Sequence, residues 1–351
     1  MNELSVAVLG TAAVTPLGIS VEQNCDALCL GRTAFREARH FDARGRKLGI
    51  DPELDEGCGS RAVRLLEKLR SALKFAIPVG TRFFLSTTVG AVDLLERGEK
   101  GDTAALLLNA AERIFGLKNG ILVSAACASG QTAVALAARQ LAAGYCRHAL
   151  VVGCDVTSEF VTTGFAALGA VSPGVCRPYD ARRDGLTLGE SAAALLLGTS
   201  GEAMGRILGA AESCDAAHIT APDLDGVQLR RAIRSALGER HPGGVIGHGT
   251  GTVYNDLAEV SALNAVFPET PPPLFSLKGN LGHTLGATGV LQLALGIELS
   301  KRRLLPPQAG LETPMAGANV STATGRLASP LLVSLNVGFG GLNSAVAMEA
   351  L

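Results

Sequence analysis

No excess of charge of either sign marks this 351-residue chain: 31 Lys and Arg stand against 32 Asp and Glu, a net charge of −1. It therefore has no global basic surface to draw nucleic acid, and no acidic tail. Long apolar runs are missing too. Charge-free stretches such as 119–138 and 279–297 are broken by polar residues and many glycines, whereas a spanning helix needs about 20 predominantly apolar residues. Glu3 and the lack of a basic residue ahead of the first apolar run argue against a signal peptide. The eight cysteines form no CxxC pair, so reduced thiols in a cytoplasmic protein are expected, with no metal site. Cys25 and Cys29, four apart on a helix, read as core neighbours. There is no GxxxxGK[ST] loop, no GxGxxG after a strand and no HExxH.

What is abundant is apolar residues, at 47%, and glycine, at 43 residues without a Gly-X-Y period. Together they describe an α/β protein with a large core, tight turns and close backbone approaches. Strand and helix signals alternate. Strands are expected at 5–9, 82–87, 121–124, 149–152, 206–211, 244–246, 274–277, 331–337 and 343–348. Helices are expected from Ser60 to about Phe75 and over 102–115, 128–143, 226–237, 255–266 and 283–301. The 128–143 helix is apolar nearly all round, the mark of a buried helix. A weak repeat links AVLGTAA (7–13) to RILGAAE (206–212), and GESAAALLL (189–197) to GLNSAVAME (341–349). Two similar halves in one body, 1–200 and 201–351, follow from it.

Four segments carry chemistry. In VSAACASGQ (123–131) a strand runs into Cys127 and a long helix follows. Unpaired N–H groups and the dipole at a helix start lower a thiol's pKa, and the thiolate is the nucleophile. The same pattern fits an inert buried cysteine, and the motif alone does not choose. IGHGTGTVYND (246–256) sets His248, Thr250 and Thr252 in a glycine-rich turn, suited to a ligand approaching backbone or merely to capping a turn. SLKGNLGHTLGATG (276–289) places Lys278 and His283 before an apolar helix, whose dipole favours neutral imidazole. Here the lysine is equally an ordinary solvated one. NVGFGGLNSA (336–345) offers amides and one ring, a weak signal for an oxyanion hole with a hydrophobic gate.

Taken together, these segments resemble the β-ketoacyl-acyl carrier protein synthases, the decarboxylating condensing enzymes of fatty acid and polyketide synthesis. VAVLGTAAVTPLG, CRPYDARRDGLTLGE (176–190) and SCDAAHITAP (213–222) extend the likeness over nearly the whole chain. The resemblance implies a thiolase-like, five-layered αβαβα fold of two pseudo-symmetric halves, normally a dimer. It implies that Cys127 takes an acyl group from an acyl carrier protein or coenzyme A thioester, with the amides of Cys127 and Phe339 as oxyanion hole. Thr250 and Thr252 would hold the pantetheine arm, with Phe339 and Gly340 also against substrate. His248 and His283 would stabilise the enolate left by CO2, and Lys278 would organise the site electrostatically. No cofactor is implied. An acidic carrier would meet Arg61, Arg64, Lys68 and Arg70, or Arg182 and Arg183, unless these are ordinary solvated positions.

Two departures stand out. The family pattern implies a Glu beyond GATG, near the lysine, where this chain has Gln292. The stretch from Thr87 to Cys127, which helps form the dimer contact and acyl tunnel, is short. Two alternatives are a non-catalytic chain-length partner in a heterodimer and a Cys127 acyltransferase that does not decarboxylate. A coenzyme A thiolase would use a second cysteine near the C-terminus, and none occurs after Cys214.

Overall fold

A computed structural model describes residues 5–55 and 59–351. Cys58 lies outside the described residues. The first half runs β1 (Val6–Val14), α1 (Val21–Cys29), a hairpin of β2 (Phe35–Glu37) and β3 (Lys47–Gly49), α2 (Arg61–Ala72), β4 (Arg82–Ser86), α3 (Val92–Glu96), α4 (Thr103–Phe115), β5 (Ile121–Val123), α5 (Ser129–Ala142), β6 (His148–Asp155), α6 (Glu159–Ala167) and β7 (Ser191–Gly198). The second runs β8 (Gly205–Cys214), α7 (Val227–Leu237), β9 (Gly244–Ile246), α8 (Val253–Val266), β10 (Leu274–Phe275), α9 (Lys278–Leu281), α10 (Thr288–Arg302), β11 (Leu304–Leu305), β12 (Gly325–Arg326), β13 (Leu332–Gly338) and β14 (Leu342–Ala350).

Each half builds a five-stranded sheet of the same order. The first reads β5-β4-β6-β7-β1 and the second β10-β9-β13-β14-β8. In both, the three strands farthest from the join are parallel and the other two antiparallel. The sheets join where Val6–Val8 pair with Gly205–Ile207. The echoed segments thus occupy equivalent strands, β1 with β8 and β7 with β14. Helices α5 and α10 pack against each other and against strands of both sheets, while α2 and α4 cover one outer face and α7 and α8 the other. That is the thiolase-like αβαβα layering. The middle layer is the most deeply buried part, with Val134, Ala137, Val290, Leu293 and Ala294 among its fully covered side chains.

Three local expectations change. The Gly-Thr-Ala-Ala segment after Leu9 is not a loop: β1 continues to Val14 through a bulge near Gly10, because its small residues fit a strand paired along β7. The Ser60 helix stops at Ala72, with Ser60 Oγ accepting the Val63 N–H as N-cap. The helix expected over 283–301 begins later: α10 starts at Thr288, after a tight 3-10 turn at Leu285–Ala287, and the short helix α9 stands ahead of that span. Gly282 at φ +78° and Leu285 at φ +51° take left-handed conformations there, so His283 lies in a connection rather than in a helix.

Candidate active site

The two buried central helices bring the chemistry together at their N-terminal ends. They approach at glycines: a Cβ on Gly289 would fall 2.4 Å from the Gln131 amide nitrogen, and one on Gly130 would fall 2.7 Å from that of Val290. Cys127 sits just ahead of α5, after Ala126 at φ +48°. Ser129 Oγ accepts the Ala125 N–H at 2.8 Å and donates to the Ala126 carbonyl at 2.5 Å, holding the turn.

His283 comes from the other side, with its Nε2 2.9 Å from Cys127 Sγ. Its backbone is clamped at both ends: its N–H donates to the Thr187 carbonyl at 2.6 Å, and its carbonyl accepts from Gly189 at 3.0 Å. Nδ1 accepts the Leu285 N–H at 3.3 Å. A neutral imidazole accepting at Nδ1 carries its proton on Nε2, so His283 presents an N–H to the sulfur. His248 follows β9, its ring perpendicular to that of His283 with centroids 5.4 Å apart. Lys278 Nζ stands 3.3 Å from His248 Nδ1 and donates to the His248 carbonyl. An ammonium donating to Nδ1 leaves the proton of His248 on Nε2 as well.

Burial sets the charges. Desolvation, then the Lys278 charge, holds both imidazoles well below their usual range, so they are neutral. Burial also lowers Lys278 to about 8, leaving it mostly protonated at neutral pH. Cys127 is corrected in the opposite sense: burial pushes its thiol up to about 12, against a smaller lowering by Lys278. The helix start favours the thiolate, but the enclosure of the sulfur outweighs it. At rest the sulfur carries its proton.

Cys127, His248, His283, Thr250, Thr252 and Phe339 line one cavity of about 420 Å3. Thr250 and Thr252 share a hydroxyl contact of 2.9 Å. Gly340 also lines it, but its N–H is spent on the Ile219 carbonyl at 2.8 Å. Phe339 packs on Phe165 of α6, ring centroids 5.6 Å apart, so the gate has two rings. Lys278 is 1% exposed and stands behind His248, not in a solvated loop.

Several contributing residues went unassigned in the sequence. Glu259 of α8 accepts the N–H groups of His248 and Gly249 and the Tyr179 hydroxyl. Asp256, one turn earlier, accepts the N–H groups of Thr250, Gly251 and Tyr179. Their i,i+3 spacing after GHGTG was the available signal. These carboxylates supply the negative field at Lys278. Gln292 instead donates to the Gly247 carbonyl at 2.9 Å and accepts from Ser334 and Asn336, a neutral network beneath His248.

The basic patch on α2 does not exist as expected. Arg61 is 2% exposed, bonded to Glu190 at 2.8 Å and Asp55 at 2.5 Å, because the first turn of α2 is buried against the 49–55 segment. Lys68 pairs with Asp51 and Glu53, and Arg64 donates to the Leu54 carbonyl. Arg70 is exposed. Arg182 pairs with Glu312. Arg183 donates to the carbonyls of Thr252 and Val253, bracing the threonine loop beside the cavity.

Known proteins agree with this architecture. The family description "Beta-ketoacyl synthase, N-terminal domain" matches residues 115–203, and "Beta-ketoacyl synthase, C-terminal domain" matches 204–312. A putative polyketide beta-ketoacyl synthase 1 of Streptomyces cyaneus is 31% identical over 97% of both chains. Among solved structures, a beta-ketoacyl synthase from Burkholderia phymatum superposes with a TM-score of 0.83 at 26% identity, over 99% of both chains. A chain of the complex of the ketosynthase ApeO with its chain length factor ApeC, from Xenorhabdus doucetiae, matches with a TM-score of 0.80 at 25% identity over 99% of this chain and 98% of that one. With matching sequence motifs, strand order and site, the chain belongs to the β-ketoacyl synthase family of condensing enzymes.

Proposed function

We propose that this protein makes a 3-oxoacyl thioester by decarboxylative condensation on Cys127, in fatty acid or polyketide synthesis. The observation that carries the reading is that two neutral imidazoles, each protonated on Nε2, share one cavity with Cys127, His283 in contact with its sulfur and His248 beside His283. In the first half-reaction Cys127 Sγ attacks an acyl thioester, and the departing thiol takes the cysteine's proton. The N–H groups of Cys127 and Phe339 hold the oxyanion; one such donor is typically worth about 3 kcal/mol. Gly340 contributes shape rather than an amide.

In the second, a malonyl thioester enters with its pantetheine arm along Thr250 and Thr252. The C–C bond to the carboxylate breaks, CO2 leaves, and the electron pair becomes an enolate whose oxygen accepts from the Nε2–H groups of His248 and His283. Neutral donors stabilise it without protonating its carbon. The enolate carbon attacks the acyl carbonyl, the C–S bond to Cys127 breaks, and the thiolate recovers a proton from water. Lys278 holds the His248 tautomer.

Acyl carrier protein thioesters, or those of coenzyme A, are the substrates of this reading, with Arg183 bracing the threonine loop beside the cavity. A dimer fits the edge strand β5, whose Ile121 and Leu122 are half exposed, whereas β10 at the opposite edge is buried. The partner is a second copy or a related chain, as ApeC is for ApeO. Sedimentation at micromolar concentration is expected to give a dimer; a fully active monomer would refute this. Among the described residues no helix is long and apolar enough to cross a membrane, and a cytoplasmic site suits the free thiols.

The acyl-enzyme is tested by intact mass after exposure to an acyl thioester. One acyl group per chain is expected on the native protein and none on Cys127→Ala. Stoichiometric acylation of the alanine variant would assign the nucleophile elsewhere. An inert native protein would favour a non-catalytic partner subunit.

A further inference from the structure

Asp155 ends β6, is completely buried, and has no place in the chemistry above. Its hydrogen-bond partners are neutral donors on two separate connections. From the loop after β4 it accepts the Thr87 hydroxyl at 2.6 Å and the N–H groups of Thr88 at 2.9 Å and Val89 at 3.2 Å. From the turn ahead of α10 it accepts the Gly286 N–H at 2.7 Å. The fit is close, since a Cβ on Gly286 would lie 2.7 Å from the Thr88 nitrogen and 2.9 Å from Asp155 Oδ2.

Each connection leads to one member of the reacting pair. Thr88 Oγ1 donates to the Ala126 carbonyl at 3.1 Å, and Ala126, at φ +48°, precedes Cys127. Leu285, at φ +51°, precedes Gly286, and its N–H fixes the tautomer of His283. Left-handed backbone at a residue with a side chain is strained and persists only where the surroundings enforce it. Here both such residues flank the nucleophile and its partner, and one carboxylate ties the two together.

We propose that Asp155 is a positioning residue for the Cys127–His283 pair, holding Ala126 and Leu285 in the conformations that set the contact between sulfur and Nε2. This rests on the reading of Cys127 as the acyl-accepting thiol. Burial raises the carboxyl to about 6, below neutral pH, so it is mainly ionised in the working enzyme.

Asp155→Asn keeps the shape but turns one acceptor oxygen into a donor facing an N–H. Thr88→Val removes only the bond to Ala126. Both variants are to be compared with the native protein in two rates, alkylation of Cys127 by iodoacetamide and its acylation by an acyl thioester, alongside the denaturant midpoint. Iodoacetamide reports on the thiol whether or not the condensation reading holds, so the two failures are distinguishable. Asp155→Asn is expected to slow both rates roughly five- to tenfold, a fraction of the cost of a 1 Å misplacement and no more than the loss of His283 itself, with KM for the acyl thioester within about twofold of native. Thr88→Val is expected to slow them several-fold at a native midpoint, and the double variant to be no slower than Asp155→Asn alone, because both act through one contact. Native alkylation rates in folded Asp155→Asn, or losses that multiply in the double variant, would overturn the proposal. Should Asp155→Asn not fold, Thr88→Val decides: native alkylation overturns the proposal, and slowed alkylation at a native midpoint supports it.

Discussion

The two histidines do different work from the general bases they resemble. A base must accept a proton, yet His283 already uses Nδ1 to accept the Leu285 N–H, and His248 Nδ1 faces the Lys278 ammonium. What remains on each is an Nε2–H, a donor for an oxyanion. On the proposed mechanism that group is the enolate oxygen, which exists only in the second half-reaction, so the cost of losing a histidine falls there. His248→Ala and His283→Ala are each expected to cut CO2 release from a malonyl thioester at least a hundredfold, the order seen for one oxyanion donor, while changing Cys127 acylation by less than tenfold. Timing the two half-reactions separately provides the check; equal losses in both would make these residues holders of substrate or fold. At this scale the sequence marked Cys127, His248, His283, Lys278, Thr250, Thr252 and Phe339, because small residues and glycines isolate each in its own motif. It did not mark Glu259, Asp155 or Phe165, whose importance comes from partners far away in the chain. Nor did it reveal that Arg61 is buried, since a helix start looks solvated until its neighbours are placed.

Among the elements, α5 and α10 decide whether the site exists. Their contact is made of glycines, so its fit can be tested without touching a reacting group. Gly289→Ala must push its Cβ against the Gln131 amide and the Gly130 carbonyl carbon. It is expected to destabilise by about 1–3 kcal/mol, as overpacking does, and to slow Cys127 acylation. Gly164→Ala, in exposed helix α6 with open space around it, is expected instead to stabilise by up to about 1 kcal/mol through helix propensity. Chemical denaturation of both variants checks the pair, and similar shifts of one sign would count against the packing argument. Most elements were legible where a run had one period: α4 began at its Asp102 cap and β9 at its expected residues. The start of the helix expected over 283–301 was not, because composition cannot show that Leu285 is left-handed. The β2–β3 hairpin and α6 gave no distinct pattern.

At the scale of the whole molecule, a duplicated strand order sets two sheets around one pair of helices, and the site lies where the halves meet. Cys127 comes from the first half and both histidines from the second. On the proposed mechanism this division lets an acyl group fixed by one half be attacked by a carbanion generated against the other. The repeat was readable in the sequence only where β1 echoed β8 and β7 echoed β14, since those buried strands tolerate few residue types. The central claim is that loss of CO2 and loss of the acyl group from Cys127 are one coupled event. Acyl-loaded protein, freed of excess thioester, should be mixed with a malonyl thioester labelled in its carboxyl carbon. Labelled CO2, the acyl mass on Cys127 and the product should then be followed through a single turnover. The expected result is one labelled CO2 and one 3-oxoacyl thioester for each acyl group lost. Acyl transfer to the incoming molecule with the label retained would contradict condensation and leave a simple acyltransferase.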